Sequence, residues 1–438
     1  MLKKIVDALK ARKDLAGWSL SHINSRGAQV YAVPKQVEAR RGVDEEKFRV
    51  VVFRRTQTSD GSPAMGSGDV TLLPGGDIAA ALDQAALVAG LVKNPLHTIP
   101  SKKALPEVDL ADPEIRKDSL AILENVMSDL QKEAANEKDV QLTSAECFAE
   151  VESTHFLNSN GIEAEQEATD VHIEFVLQSR AGEKNSETHR ELTRRRVSDL
   201  NLPAEVERRA RYTRDLLNAE PPPTWDGPVV IRGDALAIFM AGDGLTSTTL
   251  RMLSSASTKY AKVTPWEVGQ TVFRGEVKGD PFTLWANRRI PFGNVSNRFD
   301  AEGLPAQRVA IIRDNKLITF HGPQRYADYL EQPPTGDFGT VELPSGKRAA
   351  ASLLGEPHVE ICMFSWFNPE PVSGDFSSEI RLGYLVENGT AKPFKGGQLV
   401  GNLLDALANA HWSQETELLG NYMGPITARF NQLKVAPS

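Results

Sequence analysis

Cysteine is nearly absent from this chain of 438 residues, with Cys147 and Cys362 the only two. Two are too few for a disulfide framework, and neither has the CxxC spacing of a zinc ribbon or redox site. A reducing cytoplasm suits such a chain. Long apolar runs are missing as well. No stretch reaches the roughly 18 apolar residues needed to span a bilayer. The opening MLKKIVDALKARKDLAGW places Leu2, Ile5, Val6 and Leu9 on one helical face but is interrupted by charges, so it lacks the apolar centre of a signal peptide. Positive charge is in deficit: Lys and Arg number 50 against 58 Asp and Glu, for a net charge of -8 and a pI near 5.6. A sequence-independent grip on phosphate backbones needs clustered Lys and Arg, so direct nucleic-acid binding is disfavoured.

The usual catalytic signatures are also lacking. A zinc peptidase carries two histidines one helical turn apart with a carboxylate beside the first, which aims both imidazoles at one ion and the carboxylate at its water. Neither HExxH nor HExxxH occurs, and the eight histidines are scattered. The nearest approaches are His172-Ile173-Glu174, Glu187-Thr188-His189 and His358-Val359-Glu360. Residues two apart share a strand face, and these pairs read as solvated faces or satisfied histidines. GxSxG is absent, and Gly66-Ser67-Gly68 lacks the flanks of a nucleophile elbow. Gly242-Asp243-Gly244-Leu245-Thr246-Ser247-Thr248-Thr249 resembles an anion-cradling turn, but it has no P-loop lysine and Asp243 would repel an anion. It reads instead as a helix end followed by a Thr or Ser cap. The cysteines have no local histidine and read as small buried residues. No catalytic residue, cofactor or metal ligand is assigned.

What is present is a clear order of elements. Strands are expected at KFRVVVFRR and DVTLL. A helix is expected from Asp77 as its cap, and a second one capped by Asp112 with Pro113 at its first position runs through Leu130. The alternating segments VQLTSAECFAEVESTHFL and ATDVHIEFVLQSR, joined at Asn158-Ser159-Asn160-Gly161, should pair antiparallel. The helix PAEVERRARYTRDLLNAE ends at Pro221-Pro222-Pro223, the best candidate boundary. Beyond Trp225 come many short strands, with hairpins turning at Asp314-Asn315 and Asn388-Gly389. The expected class is α+β. Residues 1–220 form an α/β region of helices and antiparallel strands, and residues 225–438 form a β-rich barrel or sandwich.

The C-terminal half carries a set of ordered motifs. Phe299-Asp300-Ala301-Glu302-Gly303-Leu304-Pro305 is followed by the hairpin RVAIIRDNKLITF, then Ser373-Gly374-Asp375-Phe376-Ser377, GYLVENGTAKP, and Gly401-Asn402-Leu403-Leu404. In residues, order and spacing this resembles the TldD/PmbA family. Leu157 to Gly161 is similar to that family's N-S-x-G turn.

The resemblance implies pairs of subunits. In these a TldD-type chain carries a zinc HExxxH helix and a late cysteine ligand, and a TldE- or PmbA-type chain lacks them. Together they trim unfolded or modified peptides. Here Ala241, Gly242 and Thr246 stand near where His, Glu and His would be, and Asn421-Tyr422-Met423-Gly424-Pro425 replaces the cysteine segment. The expectation is therefore a cytoplasmic, metal-free PmbA-like subunit without a cofactor. Its partners would be a TldD-like zinc peptidase, or a second copy of itself, and peptide substrates, with no membrane or nucleic acid involved. Asp300, Glu302, Gly303, Gly374, Asp375, Phe376 and Asn402 would serve fold or cavity. Two alternatives are a stand-alone peptide-binding homodimer and a metal-free enzyme using Asp300 and Glu302. In the fold reading those two carboxylates cap turns or meet Arg298 or Arg308. The family's older label as a modulator of DNA gyrase finds no electrostatic footprint in this charge.

Overall fold

The computed structural model describes residues 1–33, 36–242 and 248–437. The N-terminal half is one antiparallel sheet of long strands: β1 (Gly17–Val33), β2 (Gln36–Gln57), β3 (Pro63–Leu72), β4 (Asn94–Pro95), β5 (Gln141–Asn158), β6 (Glu163–Ala181) and β7 (Lys184–Arg194). Their spatial order is β4-β3-β2-β1-β5-β6-β7, so β7 is an edge. Trp18, Leu20, Ala28 and Val30 of β1 are buried and fall on alternate positions, so one face of the sheet takes the core. That face is covered by α1 (Leu2–Ala11), α2 (Ile78–Leu91), α3 (Pro113–Lys117), α4 (Ser119–Asn136) and α5 (Leu202–Leu217).

Asp77 caps α2 by accepting from the Ala80 N–H at 3.1 Å. α2 then lies almost on the backbone of β3: a Cβ at Gly66 would sit 1.9 Å from the Ala89 carbonyl oxygen, and one at Gly68 2.1 Å from that of Ala85. This explains the Gly-Ser-Gly stretch as a close approach of helix to strand. The helix expected as one element from Pro113 to Leu130 is two. Asp118 leaves the helical region (φ -160) and accepts from Ala121 N–H at 3.0 Å, which restarts the helix as α4.

The C-terminal half closes on itself. β8 (Trp225–Arg232) runs into α6 (Gly233–Ala241), then come α7 (Thr249–Leu253), α8 (Ala256–Tyr260), β9 (Leu284–Asn287), β10 (Arg308–Arg313), β11 (Lys316–Leu317), α9 (Gln324–Tyr329) and β12 (Thr340–Glu342). They are followed by β13 (His358–Phe364), β14 (Asp375–Glu387), β15 (Thr390–Phe394), β16 (Gln398–Asn402), α10 (Leu403–Ala408), β17 (Ala410–Trp412), β18 (Thr416–Leu419), β19 (Tyr422–Pro425) and β20 (Thr427–Ala436). Strands β13-β8-β20-β16-β14 pair in series, and β14 pairs back with β13, which makes a five-stranded barrel. A second sheet, β11-β10-β9-β12-β19-β18, stands beside it, and α6 touches strands of both. The hairpin turns at Asp314-Asn315 and Asn388-Gly389 have every central residue at positive φ, the form a two-residue hairpin loop requires. The class is mixed α+β.

Two arginines tie the halves together. Arg195, just past β7, donates to the carbonyls of Gly293, Asn294 and Ser296 at 3.3, 2.7 and 3.4 Å. Arg298 reaches the other way, to the carbonyls of Pro106 and Glu165 at 3.3 and 2.9 Å and to the Glu107 carboxylate at 2.8 Å.

Candidate functional site

Asp300 begins a tight turn. One carboxylate oxygen accepts from the N–H groups of Glu302 (3.0 Å) and Leu304 (2.9 Å), and Gly303 completes the turn at φ +80 with Phe156 packed against it. The other oxygen faces Arg288 Nη1 at 3.6 Å, the two side chains being 3% and 1% exposed. Arg288 is therefore the counter-charge, in place of the expected Arg298 or Arg308. Arg298 is spent on the N-terminal half, and Arg308 pairs with Glu342 at 2.8 Å. Gly336 and Gly339 make room for this pair: a Cβ on Gly336 would lie 2.4 Å from Arg288 Nη2, and one on Gly339 2.5 Å from its Cγ. Glu302 accepts from Gln324 N–H at 2.8 Å, at the start of α9. Burial raises its carboxyl to about 7, with the Asp300 charge adding to the rise. Both carboxylates serve turns within the fold, and neither lines the cleft described below.

The second motif holds the barrel. Gly374 adopts φ +81 and its carbonyl accepts from Leu403 N–H at 2.7 Å. Asp375 accepts from the side chains of Asn402 (2.9 Å) and Ser373 (2.8 Å), rather than from backbone N–H groups. Asn402 in turn caps α10, accepting from Leu404 and Asp405 N–H at 3.0 and 3.3 Å. Phe376 is 4% exposed and packs 5.7 Å from Phe239 of α6 and 5.2 Å from Phe367, ring centre to ring centre. This aromatic cluster fixes α6.

α6 forms one wall of a cleft of about 510 Å³ between the halves. β7 (residues His189 to Arg194), Cys362 to Phe364 and the turn Leu419-Gly420-Asn421 also line it. The end of α6 and the late segment, distant in sequence, thus meet at one place. The groups they bring are Ala237, Ile238, Gly242, Leu419, Gly420 and Asn421. Tyr422 is buried with its hydroxyl donating to Pro425 at 3.0 Å. Asp243, Gly244 and Thr246 lie outside the described residues. Zinc needs His, Cys or carboxylate donors, and among the described residues these two segments bring none to the cleft.

The wall of the cleft also carries a charged cluster that sequence reading missed. Arg190 bonds Glu205 at 2.8 Å and Asp234 at 3.2 Å, Arg209 bonds Asp234 at 2.8 Å, and Arg208 pairs with Glu205. Burial alone would raise the Asp234 carboxyl, but Arg190, Arg209 and Arg208 hold it well below the usual range. Burial, with the like charge of Arg190, pulls Arg209 down to about 10. The signal in sequence was the pair of arginine-dense runs HRELTRRR and EVERRAR, which only the fold stacks together.

The histidine pairs do not form ligand sets. His189 meets Glu174 across strands at 2.7 Å on an exposed face, His172 bonds Thr193 at 2.8 Å, and Glu360 pairs with Arg232 at 3.2 Å. Among the described residues no three His, Cys, Asp or Glu side chains gather in a metal-holding group. Both cysteines are buried, and burial pushes the Cys147 thiol up to about 12, far from a nucleophile. No helix of the described residues is long and apolar enough to cross a membrane.

The architecture is thus a helix-covered antiparallel sheet joined to a five-stranded barrel, with a cleft where α6 meets the late turn. Residues 233–437 match the family PmbA/TldA metallopeptidase C-terminal domain. The C-terminal half of the chain thus carries a PmbA/TldD-type domain. The chain is similar over its whole length to the solved structure of a proposed modulator of a DNA gyrase from Thermotoga maritima (TM-score 0.82, 19% identity, 100% of both chains). It is also similar to TldE from Thermococcus kodakarensis (TM-score 0.81, 18% identity, 99% of each chain). An uncharacterised protein of Methanocaldococcus jannaschii is 21% identical over 317 residues, 69% of this chain and 72% of the other.

Proposed function

We propose that this chain is a metal-free, PmbA/TldE-like cytoplasmic subunit that partners a zinc-dependent TldD-type peptidase in proteolysis or maturation of unfolded or modified peptides. In this reading residues 1–220 and 225–438 are its two domains. The observation that carries it is the make-up of the cleft. The end of α6 and the late turn meet as the family resemblance implies, yet their described residues bring Ala, Ile, Gly, Leu and Asn where a metal-bound water would need three protein ligands. The cleft itself is within the size range of ligand sites. It is lined by β7, an edge strand whose backbone has a strand on one side only among the described residues. Both features suit a segment of peptide.

Purified alone, the chain is expected to hold no stoichiometric zinc by elemental analysis and to leave unfolded peptides intact. Co-expression with an HExxxH-bearing homologue, size-exclusion chromatography and a peptide-cleavage assay test the partnership. Co-elution with cleavage dependent on both chains supports it. Separate elution, with full cleavage by the zinc subunit alone, defeats it.

A further inference from the structure

The cleft is cationic in a chain whose net charge is -8. Arg190 and Arg209 line it and share Glu205 and Asp234 with Arg208. These three guanidiniums are answered by two carboxylates. Arg194, at the end of β7, also lines the cleft and adds a fourth guanidinium. Its Nη1 donates to the Thr193 carbonyl at 2.9 Å, and among the described residues it forms no ion pair. The carboxylates that act on it are Glu205 and Asp234, already bound by the other arginines, and the exposed Glu417. Glu191, also at the cleft, falls on the alternate face of β7 and is exposed, where water screens it. Burial, with the like charge of Arg190, lowers the Arg194 pKa, as for a cation short of partners.

We infer that the cleft binds a peptide carboxylate at Arg194. The ligand class follows from the pairing: among the described residues Arg190 and Arg209 are held in ion pairs and Arg194 is the one cleft guanidinium without one, a single fork that matches a carboxylate better than a dianionic phosphate. A guanidinium offers a planar fork to a carboxylate, and such charge-assisted bonds are the stronger kind. The inference rests on the peptide-cleft reading above.

The test uses the purified full chain and three N-acetylated tetra-alanine peptides: one with a free C-terminal carboxylate, one with a C-terminal amide, and one amide carrying a Glu side chain. Binding is measured by calorimetry. The acid should bind roughly tenfold more tightly than the plain amide, equivalent to about 1.4 kcal/mol. Arg194→Gln should abolish that preference, and Arg194→Lys should keep part of it. The Glu peptide tells a side-chain source from a C-terminal one. Rising salt should shrink the preference in the unmutated chain, a readout that needs no variant. Equal binding of acid and amide overturns the carboxylate site alone. Binding of none of the three overturns the peptide-cleft reading beneath it.

Discussion

Asp300→Asn separates a structural carboxylate from a chemical one. The substitution keeps the oxygen that accepts from Glu302 and Leu304 N–H, but it turns an amide toward Arg288, whose side chain is 1% exposed. The remaining partners of Arg288 are neutral: the carbonyls of Pro305 at 2.9 Å and Thr335 at 3.4 Å, and Asn297 at 3.2 Å. Asp337 also acts on Arg288 but is exposed, and water weakens its help. Breaking a buried pair so that one charge is left alone costs about 3–5 kcal/mol. For a half of this size each kcal/mol moves the melting temperature by roughly 2–4 °C, so the drop should be on the order of 10 °C. Arg288→Met combined with Asp300→Asn removes both charges and should melt above the Asp300 single variant. Thermal melts by circular dichroism read all three. The reasoning is refuted if Asp300→Asn melts with the parent while peptide processing by a reconstituted complex disappears, for then the carboxylate would be doing chemistry.

Two further outcomes are expected. Phe376→Ala removes a ring packed on Phe239 and Phe367 and should cost about 3–5 kcal/mol, loosening α6 and weakening assembly together; a melt and an elution profile unchanged from the parent would contradict this. Glu302 has a folded pKa raised from 4.5 to about 7, so the folded state holds the extra proton between those values. Its contribution is present below the unfolded pKa and is lost as pH rises through about 7. Glu302→Gln should flatten the fall in urea midpoint over that window, and identical pH profiles for variant and parent would refute the assignment.

The local features were legible because they are written in adjacent residues. The caps at Asp77 and Asp112, the hairpins at Asp314-Asn315 and Asn388-Gly389, and the turn at Asn158 to Gly161 each need only a few neighbours. The break at Asp118 escaped because apolar periodicity continues across it, while the side chain competes for the helix N–H groups. What depends on distant pairing was not legible. Closure of the barrel needs β14 beside β13, and the parallel pairing of β13 with β8 joins residues far apart in sequence. Charge spacing suggested Arg298 or Arg308 for Asp300, but the fold brings Arg288, because Arg298 is drawn to the N-terminal half. The charged wall of the cleft likewise exists only once β7, α5 and α6 are assembled.

The place of β20 has a consequence for how the molecule is made. β20 lies between β8 and β16, yet it is synthesised about 200 residues after β8. At roughly 5–20 residues per second, β8 waits on the order of 10–40 s for its neighbour. During that interval Val229, Val230 and Ile231, all buried in the finished barrel, have an open strand edge beside them. Synthesis therefore passes through a stage at which the nascent chain is most open to wrong pairing, and its yield in a cell should depend on elongation rate and on chaperones that cover that strand.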